Sequence, residues 1–271
     1  MLLKFSTIQK HTVAATDGTI GTVSDVLFDD SSWTIRWLVV DTGNWLSGRK
    51  VLLPPTVLGH AAHSDKSFPV LLTRAEIEAS PALEEHLPVS RQFETSTYTY
   101  YGWSPYWGSG NYLGGYGFAG MAPMMENDPE VQRRIEDMDR RRNTRGEPCL
   151  RSADRVTGYH IHATDGQIGH LTDIVLEDED WSIRYLVIDT SNWWGGQEVL
   201  ISPRSVNSIR WTERLIYLDV DQQRIKDSPP WDAGKPLDRE HESRLASHYG
   251  KAKTAPVQDQ LVAPLDPPLQ K

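Results

Sequence analysis

The chain contains one sequence twice. Ala15-Thr16-Asp17-Gly18-Thr19-Ile20-Gly21 returns as Ala163-Thr164-Asp165-Gly166-Gln167-Ile168-Gly169, an offset of 148 residues from Thr16 to Thr164. The same offset carries Trp33 to Trp181, Ile35-Arg36 to Ile183-Arg184, Asp41-Thr42 to Asp189-Thr190, Asn44-Trp45 to Asn192-Trp193 and Pro55 to Pro203. It still holds at Ser80-Pro81 and Ser228-Pro229, and at Tyr101-Gly102 and Tyr249-Gly250. A period this long exceeds the roughly 20–50 residues of solenoid units. The expectation is a tandem of two independent domains of about 100 residues, each long enough to bury its own core. The boundaries read as a first repeat over 2–102, a linker over 103–149, a second repeat over 150–250 and a tail over 251–271.

Within the first repeat, Thr16-Asp17-Gly18 is a turn signal, with Asp17 expected to bond its own backbone in the turn. Ile20 to Asp29 and Ile35 to Asp41 are rich in β-branched and aliphatic residues and read as strands. Lys50 to Leu53 is a short strand stopped by Pro54-Pro55, because proline cannot donate to a sheet ladder. Val57 to His63 and Ser67 to Leu72 read as a hairpin. Thr73 with Glu76 three residues on has the form of a capping box opening one helical turn. Ser90 to Tyr101 suits a short helix against the sheet. The second repeat has the same order, with a helical turn after Asp221 and a helix over Asp238 to Tyr249. Trp103 to Gly120 is rich in Gly, Tyr and Trp without apolar periodicity, and Asp128 to Arg142 has charged helical character. The first stretch reads equally as a tether and as a partner-binding segment. The tail holds four prolines and reads as disordered.

Composition excludes several classes. Net charge is −9, and neither repeat has the basic excess that nucleic-acid binding requires. Cys149 is the single cysteine, so no intramolecular disulfide and no cysteine-rich zinc site can form. Residues 1–6 lack a signal-peptide pattern, and no apolar run approaches the roughly 20 residues of a membrane span. A cytoplasmic location is expected.

Candidate chemistry is sparse. Asp25 and Asp173 each lie between aliphatic residues on a strand face, and a hairpin turn at Asp30–Ser32 places Arg36 diagonal to Asp25 and Arg184 diagonal to Asp173. The expected pairs are Asp25–Arg36 and Asp173–Arg184. We read them as register-fixing charge pairs rather than a polar site in the barrel interior. His160 and His162 lie two apart on a strand, with His170 after the turn, and are the weak candidates for a metal. His60 and His63 are weaker still. Trp45, Trp193 and Trp194 sit at loop tips, either as partner anchors or as caps on their own barrels, and the capping reading is preferred. No serine–histidine–aspartate order, phosphate loop or paired catalytic carboxylates assemble, so no enzyme and no cofactor are expected.

The run Leu150-Arg151-Ser152, Gly158-Tyr159, Ala163 to Gly169 and Trp181 to Thr190, closed by Ile225-Lys226-Asp227-Ser228-Pro229, resembles the PRC-barrel family. That family is named for the cytoplasmic domain of the photosynthetic reaction centre H subunit, and it also supplies the C-terminal domain of a ribosome-maturation factor. The resemblance covers both repeats and is similar to the stand-alone tandem proteins of bacteria. It implies a mainly β chain: two tandem small PRC-type β-barrels, each followed by short helical segments and joined by a Gly/aromatic-rich flexible linker. It also implies docking onto macromolecules without a shared catalytic centre. The expected role is a protein-docking or scaffold module with an unidentified protein partner or self-association, as a pseudo-dimer or homo-oligomer. Peripheral association with a membrane complex is compatible. The alternatives are a small-ligand or metal-binding sensor, and an accessory of a photosynthetic or electron-transfer complex.

Overall fold

A computed structural model describes residues 1–46, 48–59, 66–81, 91–103, 105, 150–190, 198–231, 237 and 239–249. The first repeat runs β1 (Leu2–Lys4), α1 (Phe5–Ile8), β2 (Thr12–Ala15), β3 (Gly18–Asp29), β4 (Thr34–Asp41), β5 (Lys50–Leu53), β6 (Ser67–Pro69), α2 (Arg74–Glu78) and α3 (Arg91–Tyr101). The second begins with β7 (Leu150–Ser152), α4 (Ala153–Val156), β8 (His160–Ala163), β9 (Gly166–Glu177) and β10 (Ile183–Asp189). It ends with β11 (Glu198–Ile201), β12 (Val206–Arg210), β13 (Leu215–Leu218), α5 (Gln222–Lys226) and α6 (Arg239–Tyr249). The expected Val57–His63 strand is instead a 3₁₀ turn over Pro55–Val57 and an isolated Leu58–Val70 bridge, with residues 60–65 outside the described set. The proline pair fixes φ for the turn and withholds the ladder donors.

The strands form two sheets, in the orders β5-β4-β3-β2-β6 and β11-β10-β9-β8-β13-β12. The repeated Asp-Gly-x-Ile-Gly motif holds the same corner in both. Asp17 accepts from the backbone N–H of Arg74 at 2.8 Å, and Asp165 from that of Gln222 at 2.9 Å. These aspartates therefore tie the β-turn to the start of α2 and α5, 57 residues away, rather than bonding within the turn. Gly18 takes φ +147°, a conformation that favours glycine. The second glycine serves close approach: a Cβ at Gly21 would collide with the Asp41 carbonyl, and one at Gly169 with the Asp189 carbonyl. The capping box at Thr73 forms as expected, with reciprocal Thr73 and Glu76 bonds.

The two repeats are not independent. β1 pairs with β9 of the second repeat, Leu3 opposite Leu176, and β7 pairs with β3 of the first, Arg151 opposite Phe28. Each repeat thus surrenders its opening strand and one-turn helix to the other sheet. The expectation of two self-contained domains is corrected by this exchange. One hydrophobic cluster runs through both repeats, from Phe5 and Ile8 through Phe28 and Phe68 to Ile174 and Ile225. Outside it, α3 lies on Trp37, Val39 and Leu52 through Tyr98, and α6 lies on Val175, Val187 and Leu200 through Leu245.

The hairpin loops meet on the local two-fold axis. Thr34 and Ser182, which are equivalent under the repeat, form a bridge with each other. Ile35 N–H donates to the Trp181 carbonyl at 2.8 Å, and Ile183 N–H to the Trp33 carbonyl at 2.7 Å. Trp33 and Trp181 hold φ of 54° and 55°, left-handed values rare for an aromatic residue. The reciprocal hydrogen bonds, the burial of Trp181 and the partial burial of Trp33 offset that strain.

Candidate functional site

Asp25 and Asp173 are buried, but neither meets the expected arginine. The Ser152 hydroxyl donates to Asp25 at 2.5 Å, the Asp154 N–H at 3.1 Å and the Val26 N–H at 2.8 Å. Asp173 accepts from the Ser6 hydroxyl, from the Ser6 N–H at 3.1 Å and from the Ile174 N–H at 2.8 Å. Each aspartate therefore caps the one-turn helix that the other repeat inserts, α4 at Asp25 and α1 at Asp173. Burial raises the Asp25 pKa, against the lowering effect of the Ser152 hydroxyl and the two N–H groups.

The arginines are displaced by a β-bulge. On β3 and β4, Leu27 faces Trp37 while Phe28 faces Ile35, so Arg36 is the extra residue; Arg184 is extra between Ile183 and Tyr185. A strict two-residue alternation does not anticipate the extra residue, and this is why the expected diagonal pairs fail. Arg36 reaches Asp29 at 3.3 Å and the Ser32 hydroxyl at 3.1 Å; Arg184 reaches Asp180 at 3.0 Å. Burial works to raise the Asp29 pKa but is outweighed by the Ser31 hydroxyl and N–H and by Arg36, which hold it below the usual carboxylate range.

The histidines do not converge on one point. His160 and His170 are cross-strand neighbours, yet His160 Nδ1 contacts Gln167 at 3.2 Å and His170 faces Asp189 at 3.9 Å. His162 packs against the Tyr217 ring, centroids 5.3 Å apart. Among the described residues no group of three or more metal-ligating side chains occurs. Trp45 is half-buried against the core with the Arg74 guanidinium 4.5 Å from its ring centre. Trp193 and Trp194, the linker apart from Trp103 and Pro105, and the tail lie outside the described residues.

Two features escaped the sequence reading. A cavity of about 420 Å³ opens beside the two-fold axis, between Pro54, Pro55, Phe68 and Tyr98 of the first repeat and Asp178 to Trp181 of the second. The end of α3 carries an aromatic cluster: Tyr101 stacks on Trp103 at 4.1 Å, and Tyr100 meets Tyr101 edge-on at 4.7 Å. The signal for both lay in positions where the two repeats differ.

The family model of the PRC-barrel domain matches residues 3–66 and 153–225. The chain belongs to the PRC-barrel family. The first matched copy begins within β1, which completes the other unit's sheet, and the second begins at Ala153, directly after β7 and at the start of the inserted helix α4. No curated protein matches the chain. No helix among the described residues is long and apolar enough to cross a membrane. In this tandem PRC-barrel chain, the buried aspartates Asp25 and Asp173 are joints between the two units.

Proposed function

We propose that this PRC-barrel pair is a non-catalytic docking scaffold acting in the cytoplasm, and that the end of the first repeat holds the protein partner. The observation that carries the reading is the aromatic cluster at the end of α3. Tyr98, Tyr100, Tyr101 and Trp103 correspond through the repeat to Ala246, His248, Tyr249 and Lys251. Tyr100 is 41 % exposed although its hydroxyl donates to the Glu76 carbonyl, a bond that the His248 ring makes to the Arg224 carbonyl in the second repeat. Leu71, just before α2, is 75 % exposed, and its counterpart is Asp219. Tyr and Trp concentrate at interface hot spots because they bury large area at low entropic cost. Single exposed apolar residues are ordinary. A cluster in which Tyr98, Tyr100 and Trp103 stand where the other copy has Ala246, His248 and Lys251 is what supports docking.

The reciprocal exchange supports the scaffold part of the reading. It fixes the two barrels relative to each other, so a partner meets a preset surface. The test is Leu71→Asp with Tyr100→His, each the residue of the second repeat. Co-purification of a stoichiometric partner from the native host is expected with the wild-type protein and lost with the double variant, while the thermal transition is unchanged. Retention of the partner by the folded double variant would refute this placement.

A further inference from the structure

The two copies differ where each exchanged arm leaves its own repeat. One arm is β1 with α1, the other is β7 with α4, and each is seated on the other repeat. The chain turns back to its own sheet at Lys10-His11 in the first copy and at Gly158-Tyr159 in the second. Both turns take a left-handed backbone, with φ 76° at Lys10 and 86° at Gly158. Glycine adopts that conformation freely, whereas Lys10 is strained in it. The next residue carries a ring in both copies. Tyr159 is buried, its hydroxyl donates to the Trp211 carbonyl at 3.3 Å, and the Arg214 guanidinium lies 5.5 Å from its ring centre. A cation beside a phenol ring is attracted to it. In the first copy the ring is the imidazole of His11, with its centre 5.6 Å from that of Phe68, and the counterpart of Arg214 is Lys66. There a cation stands near a group that itself becomes a cation in acid.

We propose that Lys10-His11 is an acid-sensitive latch: protonation of His11 releases the β1–α1 arm from the second repeat, while the β7–α4 arm stays seated on the first. Burial disfavours the charged imidazole, the Thr7 carbonyl of α1 favours it and Lys66 disfavours it, and together they hold the His11 pKa below its ordinary value. A folded pKa below the unfolded one gives stability that is complete above about pH 6.5 and is lost as pH falls below it. The elements around the ring do little to offset the new charge. α1, β2, β6 and the Thr22–Ser24 stretch of β3 carry no ionisable side chain, and Phe68 meets the uncharged Trp181 of the second repeat. Lys10 adds a cation next in the chain, and Asp154 of α4 is engaged with Gln9 at 3.4 Å. The second arm responds with the opposite sign, because burial raises the pKa of Asp25, which holds α4. Opening of the first arm also relieves the strain at Lys10, a gain absent at Gly158.

The experiment is peptide-resolved hydrogen exchange of the full chain between about pH 7.5 and 5.5, corrected for intrinsic rates, with His11→Tyr and His11→Gln alongside. In the wild-type chain, protection of residues 2–9 is expected to fall several-fold on acidification, while protection of residues 150–157 holds or rises. Both variants are neutral at position 11 throughout this range and are expected to lose most of that response. The carboxylates that touch the first arm are Asp173 at Ser6 and Glu177 and Asp178 at Met1. All three proteins share them, so the difference between the curves belongs to His11. Constant protection of residues 2–9 in the wild-type chain, equal loss in both arms, or an undiminished response in either folded variant would each overturn the proposal.

Discussion

The two repeats agree at their joints and disagree at their surfaces. Asp17 and Asp165, Gly21 and Gly169, Asp25 and Asp173, and Trp33 and Trp181 occupy matching places and make matching contacts. Leu71 against Asp219, Tyr100 against His248, Glu179 against Ser31 and Thr56 against Arg204 do not match. A duplicated chain carries its own internal control. Residues kept in both copies hold the interlocked fold, and residues that differ are the places to test for a contact that one copy makes and the other does not.

The largest effects are expected where the copies interlock. Phe5→Ala and Ile8→Ala each empty a buried site in the shared core and should lower stability by about 3–5 and 2–5 kcal/mol, measured by urea unfolding. Because Phe5 and Ile8 share one cluster with residues of both repeats, unfolding should remain one transition that moves as a whole. Two resolved transitions, one unmoved, would break the comparison at its root.

A smaller difference should separate the outer helices. Glu94 is buried and accepts from the Trp37 indole at 2.8 Å, whereas the equivalent pair, Tyr185 and Glu242, stands at 3.5 Å. Glu94→Ala should cost about 2 kcal/mol by leaving a buried donor unpaired, and Glu242→Ala less than about 1 kcal/mol. Equal costs would show that the two helices are held alike. Burial, then the nearby Glu242 carboxylate, push the Tyr185 hydroxyl up to about 12, so it stays a donor across the accessible pH range.

Two aspartates sharpen the comparison through pH. Asp25 has a folded pKa raised above its unfolded value, so its contribution to stability is present in acid and is lost as pH rises through the folded pKa. The stability of the wild-type chain relative to Asp25→Asn should therefore improve as pH falls from neutral toward about 4. Asp29 has the opposite sign: its lowered pKa gives stability present above about pH 4 and lost as pH falls further. Relative to Asp29→Asn, the wild-type advantage should shrink in acid. Thermal unfolding across pH checks both, and parallel curves for the two variants would contradict the assignment. The smallest effect is expected at the surface, where Leu71→Asp and Tyr100→His should each change stability by less than about 0.5 kcal/mol.

Much of this was legible in the residues. The duplication, the strand Lys50–Leu53, the cores of β3 and β4 and the Thr73 capping box follow from pattern and spacing, and the family from the residues by which the chain resembles it. The exchange did not, and the reason is physical. The edge that receives an opening strand is Leu27-Phe28-Asp29 in one copy and Val175-Leu176-Glu177 in the other. The two edges have the same apolar pattern, so pairing within a copy and pairing across copies satisfy the sequence equally. Chain path and the fit of the hairpin loops on the axis decide between them. Arg36 was misplaced because a bulge leaves no mark in an alternating pattern, and the Asp17 contact because its partner, Arg74, lies 57 residues away. The cavity and the aromatic cluster lie at positions where the repeats differ, such as Phe68 against Ile216 and Tyr100 against His248, and a repeat pattern marks only the positions that agree.

The most direct test of the interlock is a protease site inserted between residues 106 and 149, followed by complete cleavage and size-exclusion chromatography under native conditions. The account predicts that the two fragments elute together as a one-to-one complex and part only in denaturant, because each completes the other's sheet. Fragments that separate under native conditions, each folded, would contradict it.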